Sequence, residues 1–241
     1  MNLTVAPAQS RVQVALRSFL LSILPDGTEV IEGQDNRVPE PETNDFVIIT
    51  AIRRERIETN IDTYADARFV GSIVGDTMTV DEVDFGAIVI GRYVFGTGVA
   101  PGTQVIALGN GSGGPGTYIV SPSQDLSQRV MADGVQNILQ PTKLVFQLDI
   151  HGPASADNAQ TISTLFRDAY AVSAFAALDD LVVPLHADDP RQMAFINGEN
   201  QYEDRWIVEA CLQVDAAVGV PQQFADTAVV GVINVDASYP P

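Results

Sequence analysis

Hydrophobic residues recur with a helical spacing in two stretches of the chain. In the first, residues 8–24, they return every three or four positions and form one apolar stripe. Ser10 is a suitable N-cap for this helix, and a Pro-Asp-Gly tripeptide that follows is a suitable stop signal. The second helix is predicted to begin at Ser155 or Asp157, either of which can cap it, and to end near Leu178.

Strand patterns occur on both sides of a central Gly-rich region. The continuous apolar run at 46–52 predicts a buried strand, because it is short and rich in β-branched residues. Apolar and polar residues alternate at 143–151 and at 203–215, which predicts strands with one buried face and one wet face. Residues 227–236 predict a last strand.

Two segments rich in Gly, Pro, Asn and acids, 28–45 and 179–202, are predicted to be mostly loop, with a short strand at Gln192–Ile196. The order of elements lacks repeated strand–helix–strand crossovers, which favours antiparallel pairing. We therefore predict an α+β fold: a mostly antiparallel sheet with helices packed on one face, carrying an inserted small all-β domain.

The inserted domain is predicted at 69–134, within a discontinuous core domain made of 1–68 and 135–241. This region has no helical period, and its short strands are separated by Gly, Asp, Asn and Pro, which is typical of a small barrel or sandwich. The segment Gly109–Gly116 leads into a strand and lacks Gly-Lys-Ser/Thr, so it is interpreted as a hairpin loop rather than a phosphate loop. The strands are predicted at 71–74, 77–83, 87–95, 103–108 and 117–121, with a sixth left open near 128–132.

The net charge of the chain excludes some classes of function. The chain has 241 residues, 31 acids and 13 basic residues, for a formal charge of −18. This balance argues against a protein that wraps nucleic acid, but not against a channel from which phosphates are repelled. No apolar run is long enough to span a membrane, and the first residues lack the pattern of a secretory signal, so no membrane partner is expected.

Few residues suggest catalysis. His151 and His186, with the Asp188-Asp189 pair, could in principle support a metal hydrolase, but no hydrolase or metal-binding motif accompanies them. The carboxylates around 188–204 also lack the Asp-x-Asp-x-Asp-Gly spacing of a Ca²⁺ loop. Cys211 is interpreted as a buried small hydrophobe. We predict no enzyme activity, no cofactor and no metal site.

Charged residues near strand ends are the remaining candidates for function. The run Arg53-Arg54-Glu55-Arg56 can be read as a solvated strand end, or as a patch that pairs with acids of a neighbouring subunit. The lone Trp206 is expected in the core, with an interface anchor as the alternative. The candidate subunit-interface residues are Arg53, Arg54, Arg56, Asp188, Asp189, Arg191, Glu203, Asp204 and Arg205.

Three blocks outside the Gly-rich region carry a family resemblance. They are Ile31–Pro39 leading to Phe46–Thr50; Gln147–Pro153 followed by Asp157–Ile162 and Leu165–Arg167; and Pro184–Arg191 with Phe195–Glu199, Gln201–Trp206 and Val220–Ala225. As a set they resemble the neck or tail terminator proteins of tailed bacteriophages. The Gly-Thr-Gly pattern of 69–134 resembles a β module found in phage structural proteins.

The resemblance implies a virion structural protein that forms a ring, usually of six subunits. Its implied partners are further copies of itself, the tail tube protein and a head-side connector or head-completion protein, with genomic DNA passing through without sequence-specific binding. It implies assembly in the host cytoplasm and a place in the virion neck. The β insertion at 69–134 departs from the family's pattern, and we expect it to project outward because a module of this size would obstruct a bore. Six copies at −18 each would carry about −108. The alternative is a surface- or carbohydrate-binding decoration protein acting through the inserted domain.

Overall fold

Strands dominate the structure, a computed structural model that describes residues 5–33, 41, 43–196 and 202–222. Strands make up 53% of these residues and helices 18%. The predicted α+β class is therefore wrong for the chain as a whole: the described residues form a sheet-dominated fold, and the described helices are a minor part that packs in unit 1. The physical reason lies in the lengths of the elements, because two strands of 26 and 17 residues outweigh described helices of 15, 12 and 10 residues.

The chain divides into two compact units. Unit 1 contains Met1–Asp62 and Ile138–Val218, and unit 2 contains Thr63–Asn137 and Gly219–Pro241. The predicted domain limits at 69 and 134 stay a prediction. In chain order the described elements are β1 (Val5–Ala6), α1 (Gln9–Ile23), β2 (Glu29–Glu32), β3 (Phe46–Arg56), β4 (Ile61–Val74), β5 (Thr77–Phe85), β6 (Tyr93–Phe95), β7 (Gln104–Leu108), β8 (Gly116–Ser121), β9 (Leu126–His151), α2 (Ser155–Phe166), α3 (Ala169–Leu178), β10 (Val182–Ala187), β11 (Arg191–Gln192), β12 (Phe195–Ile196), β13 (Tyr202–Glu203) and β14 (Arg205–Pro221).

The sheet of unit 1 has the strand order β2-β3-β9-β14, and β1, β10 and β11 each pair with β14. Antiparallel pairing of β3 with β9 places Phe46 opposite His151, and a bulge at Ile52 shifts the register before Arg53. The exception to antiparallel pairing is β2, which runs parallel to β3. The loop predicted at 28–45 therefore contains a strand, which was missed because four residues are too few to show a period. Residues 34–40 of that loop lie outside the described residues.

Three aromatic rings join the helices in the core of unit 1. The Phe19 ring centroid lies 5.6 Å from that of Phe166 and 5.0 Å from that of Phe175. These rings pack with buried side chains of β3, β9, β10 and β14, and Trp206 packs partly buried against the same cluster. One face of the unit 1 sheet is thus covered by helices. The side chains that alternate to the opposite face of each strand remain available for other contacts.

The second helix differs from its prediction. It is two helices, because the carboxylate of Asp168 accepts a hydrogen bond from the Tyr170 N–H at 2.9 Å and so caps a new helix. Neither Ser155 nor Asp157 is the N-cap of α2; that position is Ala154, whose N–H donates to Asp45 Oδ1 at 2.9 Å. Ser10 likewise lies inside α1, which begins after Ala8.

The segment predicted as mostly loop at 179–202 contains β10, which pairs with β14. Val182 and Pro184 are buried on the helix side, and a bulge separates Pro184 from His186. A proline is tolerated there because β10 is paired on one side only among the described strands. In place of the short strand predicted at Gln192–Ile196, the structure has two separate two-residue strands, β11 and β12. The strand predicted at 227–236 lies outside the described residues.

Unit 2 contains a cycle of six strands. The order is β9-β4-β5-β8-β7-β6, and β6 pairs back to β9. The enclosed core is separate from that of unit 1 and includes Phe69, Met78 and Tyr118. The strand predicted at 87–95 is reduced to Tyr93–Phe95, because the chain turns at Gly91, whose φ is +92°.

The Gly-rich segment 109–116 forms the loop between β7 and β8 and closes over Tyr118. The Tyr118 hydroxyl accepts from the Gly113 N–H at 2.8 Å and donates to the Gly114 carbonyl at 2.6 Å. A Cβ at Gly111 would lie 2.4 Å from the Tyr118 ring, so glycine is required by the close approach.

Candidate functional site

Three of the candidate interface residues, Arg53, Arg191 and Arg205, lie on the face of the unit 1 sheet opposite the helices. Alternation along β14 points Val208 and Ala210 into the helical core and places Arg205 and Glu209 on the other side. The register of β3 with β9 places Arg53 opposite Val145 and Glu55 opposite Lys143 on that same side. We call this surface the polar face; its charged and amide residues are Arg53, Glu55, Lys143, Gln147, Asp149, Arg191, Arg205 and Glu209.

Asp149 and Arg205 form a nearly buried ion pair on the polar face. Both Nε and Nη2 of Arg205 donate to Asp149 Oδ1, the Nε contact at 3.0 Å. Gln147 Nε2 donates to both carboxylate oxygens, at 3.0 and 2.9 Å. The pair joins residues 56 positions apart, so Arg205 connects the start of β14 to the end of β9.

His151 makes a second connection between the same strand ends. Its Nδ1 lies 2.7 Å from Glu203 Oε1, and its ring stacks on Phe46 with centroids 4.6 Å apart. The next residue, Gly152, has φ +99° and donates its N–H to the Asp204 carbonyl at 3.0 Å. Glu203 and Asp204 therefore serve contacts within the chain, and their role between subunits stays a prediction.

The arginine run on β3 divides between the two faces. Arg53 Nε lies 2.7 Å from Glu55 Oε1, and Lys143 Nζ lies 3.3 Å from Glu55 Oε2, all on the polar face. Arg54 points to the helix side, where its Nη2 donates to Gln9 Oε1 at 2.9 Å. Arg56 lies opposite Thr142 and lines a groove of about 310 Å³ with Arg54.

The acidic candidates lie around β10 and β11. Arg167 Nη2 donates to Asp189 Oδ1 at 2.9 Å, and Asp188 Oδ1 lies 3.8 Å from His186 Nε2. Arg191 Nη2 donates to Glu209 Oε1 at 3.1 Å. Among the described residues no ion pair connects the β3 arginines to Asp188, Asp189, Glu203 or Asp204.

Cys211 lies near charged side chains of β3, β9 and β14 and near Asp188. Burial raises the pKa of the Cys211 thiol, and the nearby charges of Asp188 and Glu209 raise it further, while Lys143 and Arg53 oppose them. A buried thiol with a raised pKa is held in the neutral, weakly reactive form. Cys211 is a small buried hydrophobe in this structure.

Metal-binding clusters and membrane-spanning helices are absent from the part of the chain that the structure describes. The described residues contain no group of three His, Cys, Asp or Glu side chains placed to hold a metal ion. Within the same ranges, no helix is long and apolar enough to cross a membrane. His151 contacts the Glu203 carboxylate, and His186 Nε2 lies 3.8 Å from Asp188 Oδ1.

Several residues of the polar face were missed from the sequence. Asp149, Gln147 and Lys143 lie in the strand predicted at 143–151, whose alternation predicted one wet face. In the structure Val145, Asp149 and His151 of that face are buried, so the face carries polar groups but is not wet. That alternation was the available signal for a polar surface. It could not identify Asp149 as the partner of Arg205, because the two residues meet only through the pairing of β9 with β14.

Comparison with known proteins gives one family. A family model described as phage neck terminator protein matches residues 68–236, more than two thirds of the chain. The matched range includes 69–134 as well as the polar residues of β9, β10 and β14. No curated protein matches the chain.

Proposed function

The chain belongs to the phage neck terminator protein family, and on that premise we propose that it forms a ring, of six copies, which caps the tail tube. Membership gives it a structural role in the phage tail or neck and a location in the virion neck. It is a family of structural proteins rather than of enzymes. The single observation that carries the proposal is the family match over 68–236.

The proposed ring joins the tail tube protein on one side and a head-side connector on the other. The genome passes through the centre without sequence-specific contacts, and the ring is assembled in the host cytoplasm. The formal charge of −18 per copy supports this part of the proposal, because acids along a bore repel phosphate and prevent adhesion.

Unit 1 supplies the body of the proposed ring. Its strands are held by long-range contacts such as Asp149–Arg205 and His151–Glu203, which keep the sheet edges in a defined position for docking. The candidate contact residues between copies are the exposed members of the set predicted from the sequence, above all Arg54, Arg56 and Asp189. We propose that 69–134 is an inserted domain that projects outward from the ring.

The test is electron microscopy of intact virions together with native mass spectrometry of the purified chain. We expect density for this chain at the head–tail junction, in a closed ring whose bore admits duplex DNA. The ring in solution, or on added tail tubes, should have the mass of six copies. Density elsewhere in the particle, or a chain that is monomeric both alone and with tail tubes, would overturn the proposal.

A further inference from the structure

The sheet of unit 1 has two lateral edges that carry opposite charge. On one side, β2 pairs with β3 only over Phe46–Ile49, so residues 50–56 are paired on one side only, with β9, among the described strands. On the other side, β10 pairs only with β14 among those strands. We call Arg53, Arg54 and Arg56 the basic edge. We call Asp180, in the turn before β10, and Asp188 and Asp189, which follow β10, the acidic edge.

The basic edge concentrates positive charge in a very acidic protein. It holds three of the 13 basic residues within four positions. Glu55 is the one acid in this run, and Lys143 pairs with it. Arg54 and Arg56 border the groove of about 310 Å³ in unit 1. The floor of this groove includes the apolar side chains of Val5, Ile138, Ala216 and Val218.

The acidic edge combines charge with exposed apolar surface. Residues 168–190 contain five acids and no Lys or Arg, although Arg11 pairs with Asp179 and the flanking Arg167 pairs with Asp189. Helix α3 has no charged residue, yet among its side chains only Ala171 and Phe175 are buried. A helix that is apolar all round is typical of a buried position, so its outer side is suited to a partner. The large apolar residues exposed by 40–51% here are Tyr170, Val172, Leu178, Leu181, Val183 and Leu185.

The positions of the two edges favour a head-to-tail contact. They are separated by β9 and β14, which is three strand spacings or roughly 14 Å. A twofold contact through either edge alone would bring like charges together, whereas a head-to-tail contact joins the basic edge of one copy to the acidic edge of another. Repetition of a head-to-tail contact closes a ring when the rotation between copies allows it.

We propose that the basic edge of each copy docks on the acidic edge of its neighbour, with apolar side chains of β10 and α3 meeting the groove beside Arg54 and Arg56. This inference rests on the proposed ring. Compared with the interface residues predicted from the sequence, it adds Asp180 and the exposed apolar side chains of β10 and α3 to the contact. Arg11 already pairs with Asp179 within the chain, which leaves the exposed neighbour Asp180 to face the adjacent copy.

The test uses two charge-reversed full-length chains. Variant A is Arg53→Glu/Arg54→Glu/Arg56→Glu, and variant B is Asp180→Arg/Asp188→Arg/Asp189→Arg. Each alone would oppose like charges and should remain monomeric in native mass spectrometry, under conditions where the unchanged chain forms rings. A 1:1 mixture should assemble again into alternating hetero-oligomers, because every contact then joins opposite charges.

The matched control is Asp81→Arg/Glu82→Arg/Asp84→Arg on β5 of unit 2. It makes the same change of charge on exposed strand residues as variant B, and it should assemble like the unchanged chain. If a reversed variant fails to fold by circular dichroism, the neutral pairs Arg54→Gln/Arg56→Gln and Asp180→Asn/Asp188→Asn replace it. Each should weaken assembly about tenfold.

The outcomes separate this contact from the ring itself. If the unchanged chain forms rings and variants A and B also do so alone, the ring stands and the edge contact is wrong. The contact is also wrong if folded A and B do not assemble when mixed, or if the β5 control loses assembly equally. If variant B still forms rings but no longer joins tail tubes, the acidic edge binds the tube protein instead. An unchanged chain that is monomeric alone and on tail tubes overturns the ring.

Discussion

Each unit buries a carboxylate against one arginine, and the two ion pairs are built differently. In unit 1, Arg11 contacts both oxygens of Asp179, with Nη2 to Oδ1 at 2.9 Å, and the Leu181 N–H adds a third donor at 3.1 Å. In unit 2, Arg92 Nη1 reaches only Asp133 Oδ1, at 3.3 Å, and Oδ2 of Asp133 has no hydrogen-bond partner.

The pKa values of the two carboxyl groups move in opposite directions. The hydrogen bonds from Arg11 lower the pKa of Asp179 despite its burial. In unit 2, burial raises the pKa of Asp133 to about 6, because the contact with Arg92 and the backbone N–H donors of Val89 and Ala67 do not compensate for the loss of water. The comparison shows that the form of a carboxyl group that a fold stabilises depends on a balance: loss of water dominates at Asp133, and the hydrogen bonds from Arg11 dominate at Asp179.

The largest expected effect is in unit 1, from Arg205→Met. This change leaves the buried Asp149 carboxylate with Gln147 as a remaining donor, and we expect a loss of about 3 kcal/mol or more in unfolding free energy. Trp206 is the single tryptophan and lies in unit 1, so its fluorescence in denaturant reports this loss directly. A loss below about 1 kcal/mol would show that Asp149 does not depend on this pair.

The next effect is the pH dependence of unit 2. The folded pKa of Asp133 is above the unfolded value of 3.8, so its contribution to stability is complete below pH 3.8 and is lost as pH rises to about 6. The loss is on the order of 3 kcal/mol for about two pKa units. Asp133→Asn should remove this slope, measured by hydrogen exchange of the β5 and β8 amides between these pH values.

The control for Asp133→Asn is Asp81→Asn, an exposed carboxylate on β5. It should keep the wild-type slope. An unchanged slope in Asp133→Asn would mean that another group of unit 2 titrates in this window.

A smaller effect of opposite sign is expected from Arg11→Met in unit 1. Because Arg11 lowers the pKa of Asp179, the pair contributes stability above pH 3.8, and this contribution is lost as pH falls through the lower folded value. The unchanged chain should therefore exceed the variant in stability at neutral pH, and the difference should shrink in acid. A difference that stays constant between neutral and acidic pH would assign the effect to packing of the Arg11 side chain.

The smallest effect is expected from Arg191→Met, which serves as the exposed counterpart of Arg205→Met. Its pair with Glu209 has an N–O distance of 3.1 Å, but the Arg191 side chain is 61% exposed. Exposed pairs contribute little, so we expect a change within about 0.5 kcal/mol by the same fluorescence measurement. A loss comparable to that of Arg205→Met would contradict the distinction between nearly buried and exposed pairs on the polar face.

Local sequence patterns predicted several helices and strands of unit 1, but not how far they extend or where one element ends and the next begins. The stripe at 8–24 and the alternation at 143–151 and 203–215 correspond to α1, β9 and β14. The α+β class was wrong, because the patterns do not reveal how far the strands extend beyond their alternating parts. The single helix predicted to end near Leu178 is interrupted at Asp168. The carboxylate of Asp168 caps a new helix, although apolar residues on either side favour a continuous one.

The candidate site was predicted only as a set of residue types. The sequence marked Arg53, Asp188 and Arg205 as charged positions near strand ends. It could not show that Arg205 pairs with Asp149 within the chain, or that Asp180 lies in the turn before the edge strand β10. Their roles between copies stay predictions.

The sequence by itself determined the features that depend on neighbours along the chain: where side chains alternate, where helices begin to be favoured, and the blocks that place it in its family. Only the tertiary structure decided which strands pair and which charges meet, including parallel β2, edge strand β10 and the Asp149–Arg205 pair. The physical reason is range. Periodicity and capping act over a few residues, whereas pairing and burial join positions that are distant in the sequence, and their energies exist only after the chain has folded.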